Sequence, residues 1–265
     1  MSTDFGIVSM LTVATWNVNS VKARHERLIE WLKKLEPDVV CLQELKVTNE
    51  LFPADELREL GYHSAVHGQP TWNGVAVLSR HEISEVVRGM NDDADDEQAR
   101  VISCTTAGIG VVGVYVPNGK SVGSESWEYK MSWFDRLGSF IESQFSPDDD
   151  LILCGDFNIA PDDRDAAFPD RWRDSVLCDP KGRRKLEHIV DWGFVDLVRE
   201  LHDGPGPFSW WDYRRLAFPK GDGLRIDHVF GTAAIAERCD DAYVDRDERK
   251  GQKPSDHAPV VAVLR

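Results

Sequence analysis

Six short stretches of this chain place polar side chains where an apolar run stops or starts. They are Asn17 and Asn19 in TWNVN, Glu44 in LQELK, Tyr115 and Asn118 in YVPNG, Asp156 and Asn158 in GDFN, Asp227 in LRIDH, and Asp256 with His257 in PSDHAP. One such ending could be a simple turn, because Asn and Asp readily bond their own backbone. Six of them, with carboxylate, carboxamide, phenol and Asp-His chemistry, imply convergence at one end of the sheets, where α/β proteins build their sites. The oxygen donors are hard ligands suited to Mg²⁺ or Mn²⁺. His63 and His67 are four apart but lack the Glu of a zinc-protease helix and fall in a strand or loop. No GxSxG elbow supplies a nucleophilic serine. Metal-assisted hydrolysis of a phosphate ester is the chemistry left. A single positioned acid or base supplies roughly 10² to 10⁴ in rate, whereas phosphate esters can demand about 20 kcal/mol. A metal, donors aimed at phosphoryl oxygens and a held water must add the rest.

The elements that would position these residues are many short strands and a few helices. Strands are predicted at 11–16, in DVVCLQE after Pro37, and at 74–79, 101–106, 110–116, 151–154, 224–230 and 259–264. Leu28, Trp31, Leu32 and Leu35 form one apolar stripe, so a helix is predicted over 21–35. Further helices are expected near 125–145, 182–192 and 195–202. Strands and helices that do not strictly alternate suggest an α/β protein with two sheets packed face to face and helices outside.

The whole chain of 265 residues reads as one domain over 11–265, preceded by a short extension, 1–10. The start lacks a signal-peptide pattern and no segment approaches a membrane span, so a cytoplasmic protein with no membrane partner is expected. Five scattered cysteines without a CxxC pair indicate neither a disulfide framework nor structural zinc, and Cys41 and Cys154 read as core. A net charge of −15 argues against broad attraction to nucleic acid, so any phosphate site must be local. KGRRK at 181–185, with Arg214 and Arg215, is the candidate rim for that purpose; a solvated helix start is the alternative. The run NDDADDE at 91–97 reads as a solvated acidic loop. The acidic balance fits either an acidic back face or a salty cytoplasm.

TWNVNS, LQELK, NGVAVLS, YVPNG, GDFN, FSWWDYR, LRIDH and PSDHAPV, in this order, resemble the exonuclease III family of apurinic/apyrimidinic endonucleases from about Leu11 to Arg265. The resemblance implies a four-layer α/β sandwich, two mixed β-sheets flanked by helices. It also implies divalent-metal dependence and hydrolysis of the DNA backbone 5′ to an abasic site, with 3′-phosphodiesterase or 3′ to 5′ exonuclease activity. The implied substrate is double-stranded DNA with abasic or 3′-blocked sites, bound by a monomer.

Residue by residue, the resemblance implies Glu44 as principal metal ligand, with Asn17, Asn19 and Asp256 close to the metal. Asp156 would orient or deprotonate the attacking water and Asn158 would help hold water and phosphate. Tyr115 would contact the scissile phosphate, and His257, held in its tautomer by Asp227, would donate to a phosphoryl oxygen. Whether Asp156 or the His257 and Asp227 pair is the base stays open. Trp210, Leu224 and Ile226 would wall a pocket for an extruded abasic sugar, consistent with the low cost of unstacking a nucleotide without a base. Asn118 would touch a neighbouring phosphate, and Trp211 should face away from Trp210 into the core. Taken alone, Asn17 could cap a helix, Tyr115 could be core, and Asp227 could pair with Arg225. Leu45 departs from the Thr common in the family after the metal-binding Glu.

Overall fold

A computed structural model describes residues 10–92 and 94–265. The expected extension, apart from Met10, and residue 93 of the acidic run lie outside the described residues. Twelve strands follow in order: β1 (Leu11–Asn17), β2 (Val39–Gln43), β3 (His63–His67), β4 (Val75–Ser79), β5 (Ile83–Arg88) and β6 (Val101–Thr106) come first. Then come β7 (Ile109–Tyr115), β8 (Leu151–Asp156), β9 (Phe194–Asp196), β10 (Asp227–Thr232), β11 (Cys239–Val244) and β12 (Val260–Leu264). The helices used below are α1 (His25–Leu35), α2 (Ala54–Glu59), α3 (Glu125–Gln144), α4 (Pro169–Trp172), α5 (Pro180–Val190) and α6 (Leu197–Leu201).

Two six-stranded mixed sheets result, ordered β11-β12-β1-β2-β4-β3 and β5-β6-β7-β8-β10-β9. The central strands are apolar on both faces because both faces are covered. In β1, Val13 points between the sheets with Val39, Cys41, Val111, Ile152 and Cys154, while Ala14 and Trp16 point outward onto Leu28, Trp31 and Leu32 of α1. The outer face of the second sheet packs Val112, Val114 and Leu153 against Met131, Phe134 and Leu137 of α3 and Leu186 of α5. The layers are therefore helix, sheet, sheet, helix, the four-layer α/β sandwich expected. Among the described residues no helix is long and apolar enough to cross a membrane.

Two boundaries differ from the sequence reading for identifiable reasons. The first helix begins at His25 rather than residue 21, because the preceding backbone is spent on the site: Ser20 N–H donates to Glu44 O and Val21 N–H to Leu45 O. The strand expected over 224–230 begins at Asp227, since Leu224 pairs with Trp210 and Arg225 N–H donates to Asp165 O. The predicted strands do not include β5, β9 or β11, and the helix expected near 195–202 begins at Leu197 because Val195 and Asp196 belong to β9; all three strands are short or half-exposed and lack a long apolar run.

Candidate active site

Strand direction gathers the polar endings. β1 and β2 run parallel, as do β7 and β8, so Asn17, Glu44, Tyr115 and Asp156 all lie at C-terminal strand ends. β10 is antiparallel to β8 and starts where β8 stops, with Asp227 opposite Asp156. β12 is antiparallel to β1, which brings Asp256 and His257, just before it, to the end of β1. One edge of the two facing sheets therefore receives all of them.

The Asn17 carboxamide bridges the two sheets, donating to Glu44 Oε1 at 2.8 Å and to Asp156 Oδ2 at 2.9 Å. Its oxygen accepts the Asn19 N–H, so Asn17 stands here as a link between carboxylates. Asn19 donates to Asp256 Oδ1 at 2.9 Å, and Asp256 also accepts from Trp210 Nε1 at 3.1 Å. Asp227 is fully buried, accepts Ser209 Oγ–H at 2.6 Å, and lies 2.8 Å from His257 Nδ1. Arg225, weighed as its partner, turns instead to Asp165 and Asp196. The other ring nitrogen, His257 Nε2, faces Asp156 Oδ2 at 3.8 Å. Asn158 N–H donates to Asp156 Oδ1, and the exposed Asn118 donates to Asn158 Oδ1 at 2.9 Å.

The electrostatics follow from burial and crowding. Burial pushes the Asp156 carboxyl up to about 7, with His257 drawing it back and Asp227 adding to the rise. Burial opposes a charged His257, but Asp227 and Asp156 outweigh it and lift the imidazole to about 10. Enclosure by the surrounding chain, then the charges of Glu44 and Asp156, push the Tyr115 phenol well above its ordinary range. Three of the site residues sit at left-handed backbone angles, Asn19 at φ 45°, Glu44 at φ 54° and Asn158 at φ 50°. Such strain costs on the order of 1–3 kcal/mol for a residue other than glycine and gathers at functional sites.

Ligand atoms of Glu44, Asp156 and His257 lie within 4.8 Å of one another. Two converging carboxylates in a half-buried recess are a donor set that fits a divalent cation. His63 and His67 stand apart on β3, where His67 Nδ1 meets the Val101 carbonyl. In the aromatic segment, Trp210 is partly exposed and packs edge-on against Trp172 of α4. Leu224 and Ile226 are fully buried behind it, and Trp211 is buried on the other side with Ala217 and Ala258.

The model of the Endonuclease/Exonuclease/phosphatase family matches residues 14–257. Exodeoxyribonuclease III of Haemophilus influenzae is 36% identical over 94% of this chain and 97% of its own. This chain belongs to that family, in its exonuclease III branch. Among solved structures, an AP endonuclease from Archaeoglobus fulgidus aligns with TM-score 0.93 and 38% identity over 96% of this chain and 99% of that one. A 3′ phosphatase from Neisseria bound to product DNA hairpin aligns with TM-score 0.92 and 37% identity over 96% and 99%. As an exonuclease III family member the chain is a hydrolytic nuclease.

Several residues of this family member's site went unnoticed in the sequence. Lys46 Nζ contacts Glu44 Oε2 at 2.9 Å and Asn19 Oδ1 at 2.6 Å, placing a cation beside the carboxylates. It was legible as the last letter of LQELK. Ser209 also accepts the Ile226 and Asp227 N–H groups, and no local pattern marks it, because its partners lie 17 and 18 residues away. Arg100 stacks over the Tyr115 ring at 4.7 Å and donates to its carbonyl. Leu45, the departure from the family pattern, is buried in the outer layer, where its backbone N–H bonds Gly74 O.

Proposed function

We propose that this nuclease hydrolyses the phosphodiester 5′ to abasic sites in duplex DNA with Mg²⁺ or Mn²⁺, and that it also trims blocked 3′ ends. The observation that carries the reading is the meeting of Glu44, Asp156 and His257 at one sheet edge, with a partly exposed Trp210 6.5 Å from the His257 ring. Glu44, with Asp156 and Asp256 close by, would hold the metal, which when bound supplies Lewis-acid polarisation of the phosphate. Asp156, raised toward neutrality, is suited to hold and deprotonate water. His257 gives Nδ1–H to Asp227, which leaves Nε2 to face a phosphoryl oxygen; its raised pKa keeps that position a charged donor. Asn158, fixed by Asp156 and Asn118, presents its carboxamide beside the same point. Trp210 is the half-buried wall against which a base-free sugar would rest, with Leu224 and Ile226 as its backing.

The test is cleavage of a labelled duplex carrying one tetrahydrofuran abasic analogue, beside an undamaged duplex and one with a 3′ phosphate, with metal and with chelator. Incision at the lesion that chelator abolishes is the expected result. Loss of abasic preference in the wild type, with equal cutting of the undamaged strand, would overturn the abasic reading. Digestion of the other two duplexes measures the 3′-end share.

A further inference from the structure

Lys130 of α3 is fully buried, yet it bonds no side chain among the described residues. Its ammonium donates to three backbone carbonyls: Asn158 O at 2.7 Å, Val176 O at 3.1 Å and Asn118 O at 3.2 Å. Lysine carries three donors and no acceptor, so each N–H has one partner. The three carbonyls belong to three separate segments, the loop after β7, the loop after β8 and the stretch leading into α5.

We propose that Lys130 is a positioning residue that ties these loops together and so fixes the Asn118 and Asn158 carboxamides where the scissile phosphate binds. The two asparagines are already paired side chain to side chain at 2.9 Å. That bond alone leaves both loops free to move as a unit. Asn158 has further anchors, its N–H on Asp156 and its Nδ2 on Val116 O at 3.0 Å. The exposed Asn118 has fewer, and the backbone tie to Lys130 joins it to the protein interior. The loop also runs close over the lysine stem: a Cβ at residue 119 would stand 3.1 Å from Lys130 Cδ, and Gly119 sits at φ +92°. A salt bridge would have pulled the ammonium toward one acid. Three carbonyls spread its hydrogen bonds across three segments, which suits a tether.

The use of the tethered loops rests on the nuclease reading above, whereas the tether itself is tested without turnover. Lys130→Met keeps the stem and removes the donors; Lys130→Arg keeps a cation with several donors. Amide hydrogen exchange over residues 116–120 and 157–160 should quicken at least about tenfold in K130M while β1 and β2 stay protected. On abasic duplex the kcat of K130M should fall about 10²-fold with KM within about threefold, since slight misplacement costs that much. K130R should recover most of both losses. Should K130M not accumulate as folded protein, Lys130→Gln is read in the same way. Unchanged loop exchange, or exchange raised uniformly over the whole protein with kcat tracking the folded fraction, would overturn the proposal. A wild type that cuts no duplex would sink the nuclease reading, and the exchange data would still decide the tether.

Discussion

In the proposed mechanism Asp227 would act on the phosphate only through His257, by holding the imidazole as a cation. With Asp227 and Asp156 beside it, His257 titrates near 10, so the charged donor persists throughout the neutral range. Asp227→Asn keeps a polar contact but removes the main attractive charge. The expected outcome is a single-turnover incision rate about 10² lower or more at neutral pH. It should also decline as pH rises through neutrality, where the wild-type rate does not, and a pH profile at saturating metal checks both. Ser209 supports the same carboxylate with a 2.6 Å hydrogen bond. Ser209→Ala should therefore cost about 1–2 kcal/mol of stability in urea melts, since it strands a buried acceptor and two N–H groups. It should lower kcat less than D227N does. At this scale the sequence was most informative: Asn17, Glu44, Asp156, Asp227 and His257 are polar residues where apolar runs end, and they meet. Ser209 and Lys130 carry no such mark, because one lies in a loop and the other reads as one more lysine on a helix.

Segments 224–227 and 165–166 are held by a buried ion network. Arg225 joins Asp165 and Asp196, Asp165 also takes Arg199, and His228 lies beside the Arg225 guanidinium. The sequence showed LRIDHVF as one strand, and alternation alone could not reveal that Arg225 would draw its first three residues out of the sheet toward Asp165. Burial, then Arg225, bring the His228 imidazole down to about 4. A base whose folded pKa lies below its unfolded value of about 6.5 is neutral in the fold, so its contribution is full above that value. As pH falls from about 6.5 to about 4 the unfolded chain takes the proton first, and about 3 kcal/mol of stability is lost. Denaturant midpoints of metal-free protein should fall over that window, and His228→Phe should flatten the slope relative to wild type. An unchanged slope in the variant would assign the acid sensitivity elsewhere. Gly155 is a second element-level constraint, since a Cβ there would stand 1.9 Å from Val114 O. Gly155→Ala should force β7 from β8 and destabilise by about 3 kcal/mol, moving Tyr115 and Asp156 apart with a loss of activity that exceeds the unfolded fraction.

At the scale of the whole molecule, a protein with 46 acidic and 31 basic residues must still hold a polyanion. Three of the four cations in KGRRK are occupied by the protein's own acids: Arg183 pairs with Asp163 at 2.9 Å, Lys185 with Asp135, and Lys181 lies 4.0 Å from Glu128. Arg214 is likewise paired with Asp212 at 2.8 Å. Sequence could show the KGRRK cations but not their partners, which come from α3 and from the loop after β8, whereas Asp212 stands two residues from Arg214. Such exposed pairs are worth only about 0–1 kcal/mol each, so a phosphate can compete for the cation. If the duplex lies along this rim, the acids would weaken its binding without abolishing it and so favour release of the cut strand. Asp135→Asn with Asp163→Asn frees Lys185 and Arg183 at little cost to the fold. Each phosphate newly engaged should steepen the slope of log affinity against log salt by roughly 0.9. The double variant should accordingly bind abasic duplex several-fold more tightly at low salt, with a slope steeper by about 1–2. It should turn over more slowly where product release limits the rate. Binding titrations across a salt series, paired with burst-phase kinetics, check this. Identical slopes in variant and wild type would show that the freed Lys185 and Arg183 engage no phosphate.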